Sequence, residues 1–257
     1  ARRAAATPPE DGACPAGFDA ARFASQDQLW AHHVFLDRLK ARPTGSPSHE
    51  QFIHWLDARL DEIPGVERSA PAYPLNRWLE SRVLLSAGKG GLQELPVSGA
   101  VPYSQATAGV TAPLIYIPAG TSVGASEIYG KIVLREAATG SIPQAAFAAL
   151  QWFEYDPELV LTRGIAGNYE RDFLGYDQRL TDLREAAAAG AKGMILMHSF
   201  PRAQRLGHYA PYDGERFGVP AVYVGADEGE RLKQVAAEGG EAHIDLAAEE
   251  VAFTTHS

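Results

Sequence analysis

The stretch Gly120-Thr-Ser-Val-Gly124 has the spacing of a catalytic motif, Gly-x-Ser-x-Gly. In serine hydrolases that pattern sets the serine on a sharp turn between a strand and a long helix. The strand-like Leu114-Ile-Tyr-Ile117 precedes it, and His198, His208 and His243 follow with acids available. The helix is what the sequence lacks. Ala125 to Tyr129 is too short before Gly130, and Pro118 intervenes. A serine hydrolase using Ser122 is therefore the third and last functional reading.

Metal chemistry has little to work with. His49-Glu50 and His54 imitate a zinc helix, but such a motif needs histidines four apart. A spacing of five turns the second ring about 140° from the first, at roughly 100° per residue, so a solvated helix face is expected. His32 and His33 are neighbours and face apart. Glu249-Glu250 reads as a solvated pair, and Lys131 and Arg135 alternate on a strand and read as surface residues. No Gly-x-x-x-x-Gly-Lys-Ser/Thr loop occurs for a phosphate. No catalytic, cofactor-binding or metal residue is assigned. A recognition role falls to the long loop 199–218, through Arg202, Arg205, His208, Tyr209, Tyr212 and Arg216. Tyrosine and arginine make strong, directional contacts. The plainer alternative is that the loop's aromatics, Phe200 and Phe217 among them, pack onto the sheet.

These residues need a scaffold. A chain of 257 residues with 46% hydrophobic and 21% charged residues folds rather than staying disordered. Its formal charge of -9 repels phosphate backbones, which argues against nucleic acid. No run of about 18 apolar residues occurs, the length a membrane-spanning helix needs. Cys14 is the one cysteine, so no internal disulfide forms. Residues 1–22 read as a flexible tail.

A helical pattern starts at Ser25 or Asp27, with apolar residues at Leu29, Trp30, Val34, Leu36 and Leu39, and stops at Ala41 before Pro43. A second helix follows Ser46 or Ser48, with Phe52, Ile53, Leu56, Leu60 and Ile63 as its stripe, and ends at Pro64-Gly65. From Val66 to Leu134 short strands are expected, among them Arg82–Ser86, Val97–Tyr103, Pro113–Pro118 and Lys131–Arg135. Ala145 to Tyr155 fits a helix. Asp182 to Ala189 is helical by propensity, and Gly190 stops it. Gly193–Met197 and Val219–Val224 are strands, Ala226–Ala237 a helix, and Ala242–Leu246 and Val251–Thr254 two closing strands.

Three pieces in order, Gly130-Lys-Ile-Val-Leu-Arg-Glu136, Asp182 to Leu196 and Val219 to Leu232, resemble the protease-associated domain. Leu29 to Ile63, with its Arg42-Pro-Thr-Gly-Ser46 loop, resembles the opening helices of the zinc aminopeptidase family that includes glutamate carboxypeptidase and the transferrin receptor. The resemblance implies an α+β fold: a small, mostly antiparallel, protease-associated-type β-barrel or sandwich with two covering helices, preceded by a helical hairpin. It implies a helical segment at 23–85, a protease-associated domain at 86–250 and a return strand at 251–257. The family's zinc ligands lie after the inserted domain and none is carried over, so zinc belongs to the related full-length enzymes and no cofactor to this chain. The implied function is a non-catalytic module for protein or peptide binding and substrate access. The alternative is the N-terminal part of a zinc exopeptidase whose catalytic segment is a missing or separate domain. A secreted or cell-surface location follows, since the resemblance is mostly to exported proteins, and Ala1 to Pro15 reads either as a disordered start or, preferred here, as the remainder after signal-peptide removal.

Overall fold

The computed structural model describes residues 23–40, 42, 44–124, 126–150, 167–205 and 215–256. The chain divides into two compact units. One comprises Ala1–Pro74, Ile142–Tyr169 and Thr254–Ser257, the other Leu75–Ser141 and Glu170–Phe253. Among the described residues no helix is long and apolar enough to cross a membrane.

The first unit is led by a helical hairpin, α1 (Gln26–Leu39) and α2 (Pro47–Asp61). Ser25 starts α1 with a reciprocal cap. Its hydroxyl accepts the Gln28 N–H at 3.2 Å, and the Gln28 side chain accepts the Ser25 N–H at 2.7 Å. The Arg42-Pro-Thr-Gly-Ser46 loop is explained by what it closes. The Arg42 guanidinium donates to the carbonyls of Leu36 (2.8 Å) and Lys40 (2.9 Å), where a helix end leaves acceptors orphaned. It also lies 5.7 Å from the centre of the Phe52 ring. Gly45 takes φ 74°, which a glycine adopts without a steric penalty. Ser46 then caps α2, accepting the His49 N–H at 3.1 Å, with Pro47 in the first turn. The His49 Nδ1 accepts the Gly45 N–H at 3.2 Å, so this imidazole staples the loop.

The seam between the two helices is aromatic, with Phe35 and Trp55 stacked at 5.3 Å and His32 edge-on to Trp55 at 5.2 Å. Elsewhere the hairpin covers its apolar residues only in part. Only Leu39 of α1 is buried and no residue of α2 is, while Leu29 is 51% exposed and Trp30 68%. A 3-10 helix, Gln144–Leu150, stands where a helix over Ala145 to Tyr155 was expected; residues 151–155 lie outside the described residues.

In chain order the remaining elements are β1 (Ala72–Gly88), β2 (Gln93–Leu95), β3 (Gly99–Ala100), β4 (Thr107–Ile117), β5 (Ile132–Glu136), β6 (Gly140–Pro143), β7 (Asn168–Arg171), α3 (Tyr176–Ala188), β8 (Gly193–Met197), α4 (Arg202–Arg205), β9 (Ala221–Val224), α5 (Ala226–Ala237) and β10 (Glu241–His256). One eight-stranded sheet runs β2-β1-β10-β4-β5-β8-β9-β3. The class is α+β, as expected, but the sheet is mixed: β4, β5, β8 and β9 pair in parallel. Antiparallel pairs flank this centre, β10 with β4 on one side and β3 with β9 on the other.

The reason lies in residues 132–135, 193–197 and 221–224, every one of them buried. Parallel strands occur where helices cover both faces, and such strands read as continuous apolar runs. One face holds Leu114, Ile132, Leu134, Ile195 and Val224 under Leu232, Val235 and Ala236 of α5. The other holds Val133, Met194, Leu196 and Tyr223 under Leu180, Leu183 and Ala186 of α3. Of the alanine run in α3, Ala186 is buried, Ala187 and Ala189 pack against the core, and Ala188 faces out. Pro220 sits just before β9 and its carbonyl accepts the Met194 N–H at 2.9 Å, a place where its missing N–H is not needed.

Candidate functional site

The carboxyl ends of β4, β5 and β8 lie side by side, with Tyr116 opposite Leu134 and Glu136 opposite Met197. α3, which precedes β8, covers one face of the sheet, and α5, which follows β9, covers the other. A crevice therefore opens at the strand ends, where α/β sheets bind ligands. Its volume is about 910 Å³. Residues 119–122, 135–139 and 197–199 contribute to its walls, together with Gln178, Thr181, Asp182 and Glu185 of α3 and Glu230 and Lys233 of α5.

Its floor is ionic. Arg135 is 4% exposed and Asp182 1%, which corrects the expectation that Arg135 lies on the surface. The two make a paired contact, Nε to Oδ2 at 2.9 Å and Nη2 to Oδ1 at 3.4 Å. Gln178 donates to Asp182 at 3.0 Å, and Arg135 donates to the carbonyl of Pro118. The sequence reading followed alternation along β5; it had no view of α3, which supplies the counter-charge.

One wall is a second network. The Tyr116 hydroxyl donates to Glu136 at 2.7 Å, and Lys233 Nζ lies 3.0 Å from both Glu136 and Glu230. The Tyr116 hydroxyl holds the Glu136 carboxyl below the usual range against the opposing effect of burial, and Lys233 and the Ala119 N–H help. Burial, then Glu136, pushes the Tyr116 phenol up. Burial works against the charge on Lys233, yet hydrogen bonds to Glu230 and Glu136 leave its ammonium harder to deprotonate than free lysine.

A depressed carboxylate stabilises the fold above its unfolded pKa of about 4.3, and that contribution is lost as pH falls through the folded value. Glu136→Gln is thus expected to lower stability at pH 7 and to make the loss between pH 5 and 3 shallower. Urea titrations across that range check it, and parallel pH profiles for both proteins would contradict it.

Ser122 has a structural task. Its hydroxyl donates to Glu185 at 3.0 Å and the Gly124 N–H donates to the same oxygen at 2.8 Å. The Gly124 N–H, then Ser122, lowers the Glu185 pKa. The residues described between Pro118 and Lys131 form turns and bends, so the strand–turn–helix of a nucleophile elbow is not built here. His198 is fully buried, stacked between Phe200 at 4.5 Å and Tyr223 at 5.1 Å.

The expected recognition loop is described only in part. His208, Tyr209 and Tyr212, and the side chain of Arg205, lie outside the described residues. Arg202 opens α4, with Nε 3.9 Å from Glu228. Arg216 grips Glu250 through two bonds of 2.8 and 2.6 Å, which raises its own pKa. Glu250, read as half of a solvated pair, is therefore a partner of that arginine. Phe217 packs into the core. Among the described residues no group of three or more His, Cys, Asp or Glu is placed to hold a metal ion.

No family model and no curated protein matches the chain. Solved structures do. An aminopeptidase from Aneurinibacillus sp. strain AM-1 is similar at 22% identity and a TM-score of 0.51, over 87% of this chain and 45% of that one. A peptidase M28 precursor from Shewanella amazonensis is similar at 16% identity and a TM-score of 0.57, over 87% of this chain and 47% of that one. The fold of this chain resembles the matched part of both structures. The chain spans less than half the length of either structure.

Sequence reasoning missed the crevice residues Tyr116, Glu136, Asp182 and Lys233. A usable signal was present: Glu136 closes the apolar run of β5, and His198 follows that of β8. Polar residues just past buried parallel strands point to the binding edge of such a sheet.

Proposed function

We propose that this chain is the non-catalytic part of an exported aminopeptidase-like protein: a protease-associated-type module that binds protein or peptide and shapes substrate access. The observation that carries this reading is the partial match, 87% of this chain against under half of two peptidase structures. The three sequence pieces resembling the protease-associated domain fall on β5, on α3 with β8, and on β9 with α5, which form the centre of the sheet and its two covers. The exposed Leu29 and Trp30 of the hairpin favour the second reading as well, in which the chain is the N-terminal portion of a zinc exopeptidase whose catalytic segment packs on α1 and α2. Contiguous exposed apolar residues mark such contact faces.

If α1 presents a contact face, Leu29→Lys with Trp30→Lys will change the stability of this chain by less than about 0.5 kcal/mol, as for surface substitutions. Binding of a hydrophobic dye will fall. A loss above about 2 kcal/mol would mean that these side chains are already packed within the chain, and the contact-face reading would fail.

A further inference from the structure

We propose that the carboxyl-edge crevice binds a ligand presenting a primary ammonium group, with Glu136 and Glu230 as the receiving carboxylates and Lys233 as an internal occupant that the ligand displaces. The inference deepens the peptide-binding reading above by naming its site and ligand chemistry. It is independent of the contact face on α1.

The charge lining the crevice selects a cation. Among the described residues, four carboxylates (Glu136, Asp182, Glu185 and Glu230) face two cations, Arg135 and Lys233. Arg135 is neutralised by Asp182 in the floor, and the first turn of α5 carries Asp227 and Glu228. An anionic ligand would meet these acids, while both cations among the described lining residues are already paired with carboxylates. The wall also shows how an ammonium is held. Lys233 Nζ lies 3.0 Å from each carboxylate and 4.8 Å from the centre of the Tyr116 ring. Two carboxylates beside an aromatic face suit an alkylammonium in charge, Glu136 from the half-buried side and Glu230 from the exposed one. Lys233 reaches this place on a flexible four-carbon stem from α5, so withdrawing it leaves the cage open to the cavity. A volume of about 910 Å³ accommodates a molecule of dipeptide size.

Two sources offer this group, a free peptide N-terminus and a lysine side chain. Leucine amide, N-acetyl-lysine amide and neutral N-acetyl-leucine amide separate them by calorimetry at physiological salt. Both amines, or one of them, will bind and the neutral amide will not; the tighter amine identifies the source. Lys233→Met will tighten amine binding at least tenfold, because the competitor is gone. Lys131→Met makes the same change of charge at the opposite end of β5 and will leave affinity within twofold. Glu230→Gln, on an exposed carboxylate, will weaken binding at least fivefold, and this arm decides if Lys233→Met does not fold. Equal binding of the neutral amide, no amine binding, or unchanged or weaker binding in Lys233→Met would overturn the proposal. Longer peptides that bind regardless of their amino groups and of these substitutions would overturn it while leaving the peptide-binding module intact. Failure of those peptides to bind at all would remove the peptide-binding reading too.

Discussion

Arg135→Met will destabilise the protein by about 3–5 kcal/mol, the range for removing one partner of a buried ion pair. The magnitude comes from what remains. Asp182 is 1% exposed, and without the guanidinium its charge keeps, among the described residues, the Gln178 amide. A buried charge left without its counter-ion is strongly destabilising. Asp182→Asn will show a loss of the same order by stranding the arginine. The pair itself contributes far less than these losses suggest, because desolvation offsets most of its attraction. The double change Arg135→Met with Asp182→Leu will therefore recover most of the stability. Urea unfolding followed by circular dichroism distinguishes the cases. A double variant no more stable than either single one would mean that the site needs its charges for more than pairing.

The second large effect concerns Gly175, just before α3. A methyl group there would sit 1.9 Å from the Ala138 carbonyl oxygen and 2.5 Å from its carbon. Both are backbone atoms that no rotamer change can move. Gly175→Ala must push the start of α3 away from the end of β5, straining the 3.1 Å bond from Arg179 to that same carbonyl. The expected loss is about 3 kcal/mol, at the upper end for overpacking. Gly190 provides the contrast. Its φ is 75°, and the atoms nearest to an added methyl belong to the ring of Tyr129, which is 84% exposed and can swing aside. Gly190→Ala will cost about 1 kcal/mol, through the backbone alone. Thermal unfolding of the two variants tests the difference, and equal losses would contradict it.

What the sequence made legible was local. Ser25 and Ser46 announce their helices, because a cap is a contact between residues three apart. The limits of α5 match the expected Ala226–Ala237 because its signals lie within it. The long strands were missed for the opposite reason. β1 runs 17 residues and β10 runs 16, yet each was read as one or two short pieces. Their partners are remote: Arg82 pairs with Asp245 and Ser81 with the carbonyl of Ala247, each more than 160 positions away. Long extended ribbons with mixed exposure show no continuous apolar run, so nothing nearby marks their length. The crevice is hidden in the same way. Arg135 meets Asp182 at a separation of 47 positions, and Glu136 meets Lys233 at 97. Parallel pairing, which puts these strand ends together, is a property of the assembled sheet.

The division of labour proposed for this chain stands or falls on turnover. The pure 257-residue polypeptide, given zinc, should retain less than one equivalent after dialysis and release p-nitroaniline from leucine p-nitroanilide no faster than buffer. Hydrolysis that a single replacement among its described residues abolishes would place the bond-breaking machinery inside this chain and refute its assignment as a binding and covering module.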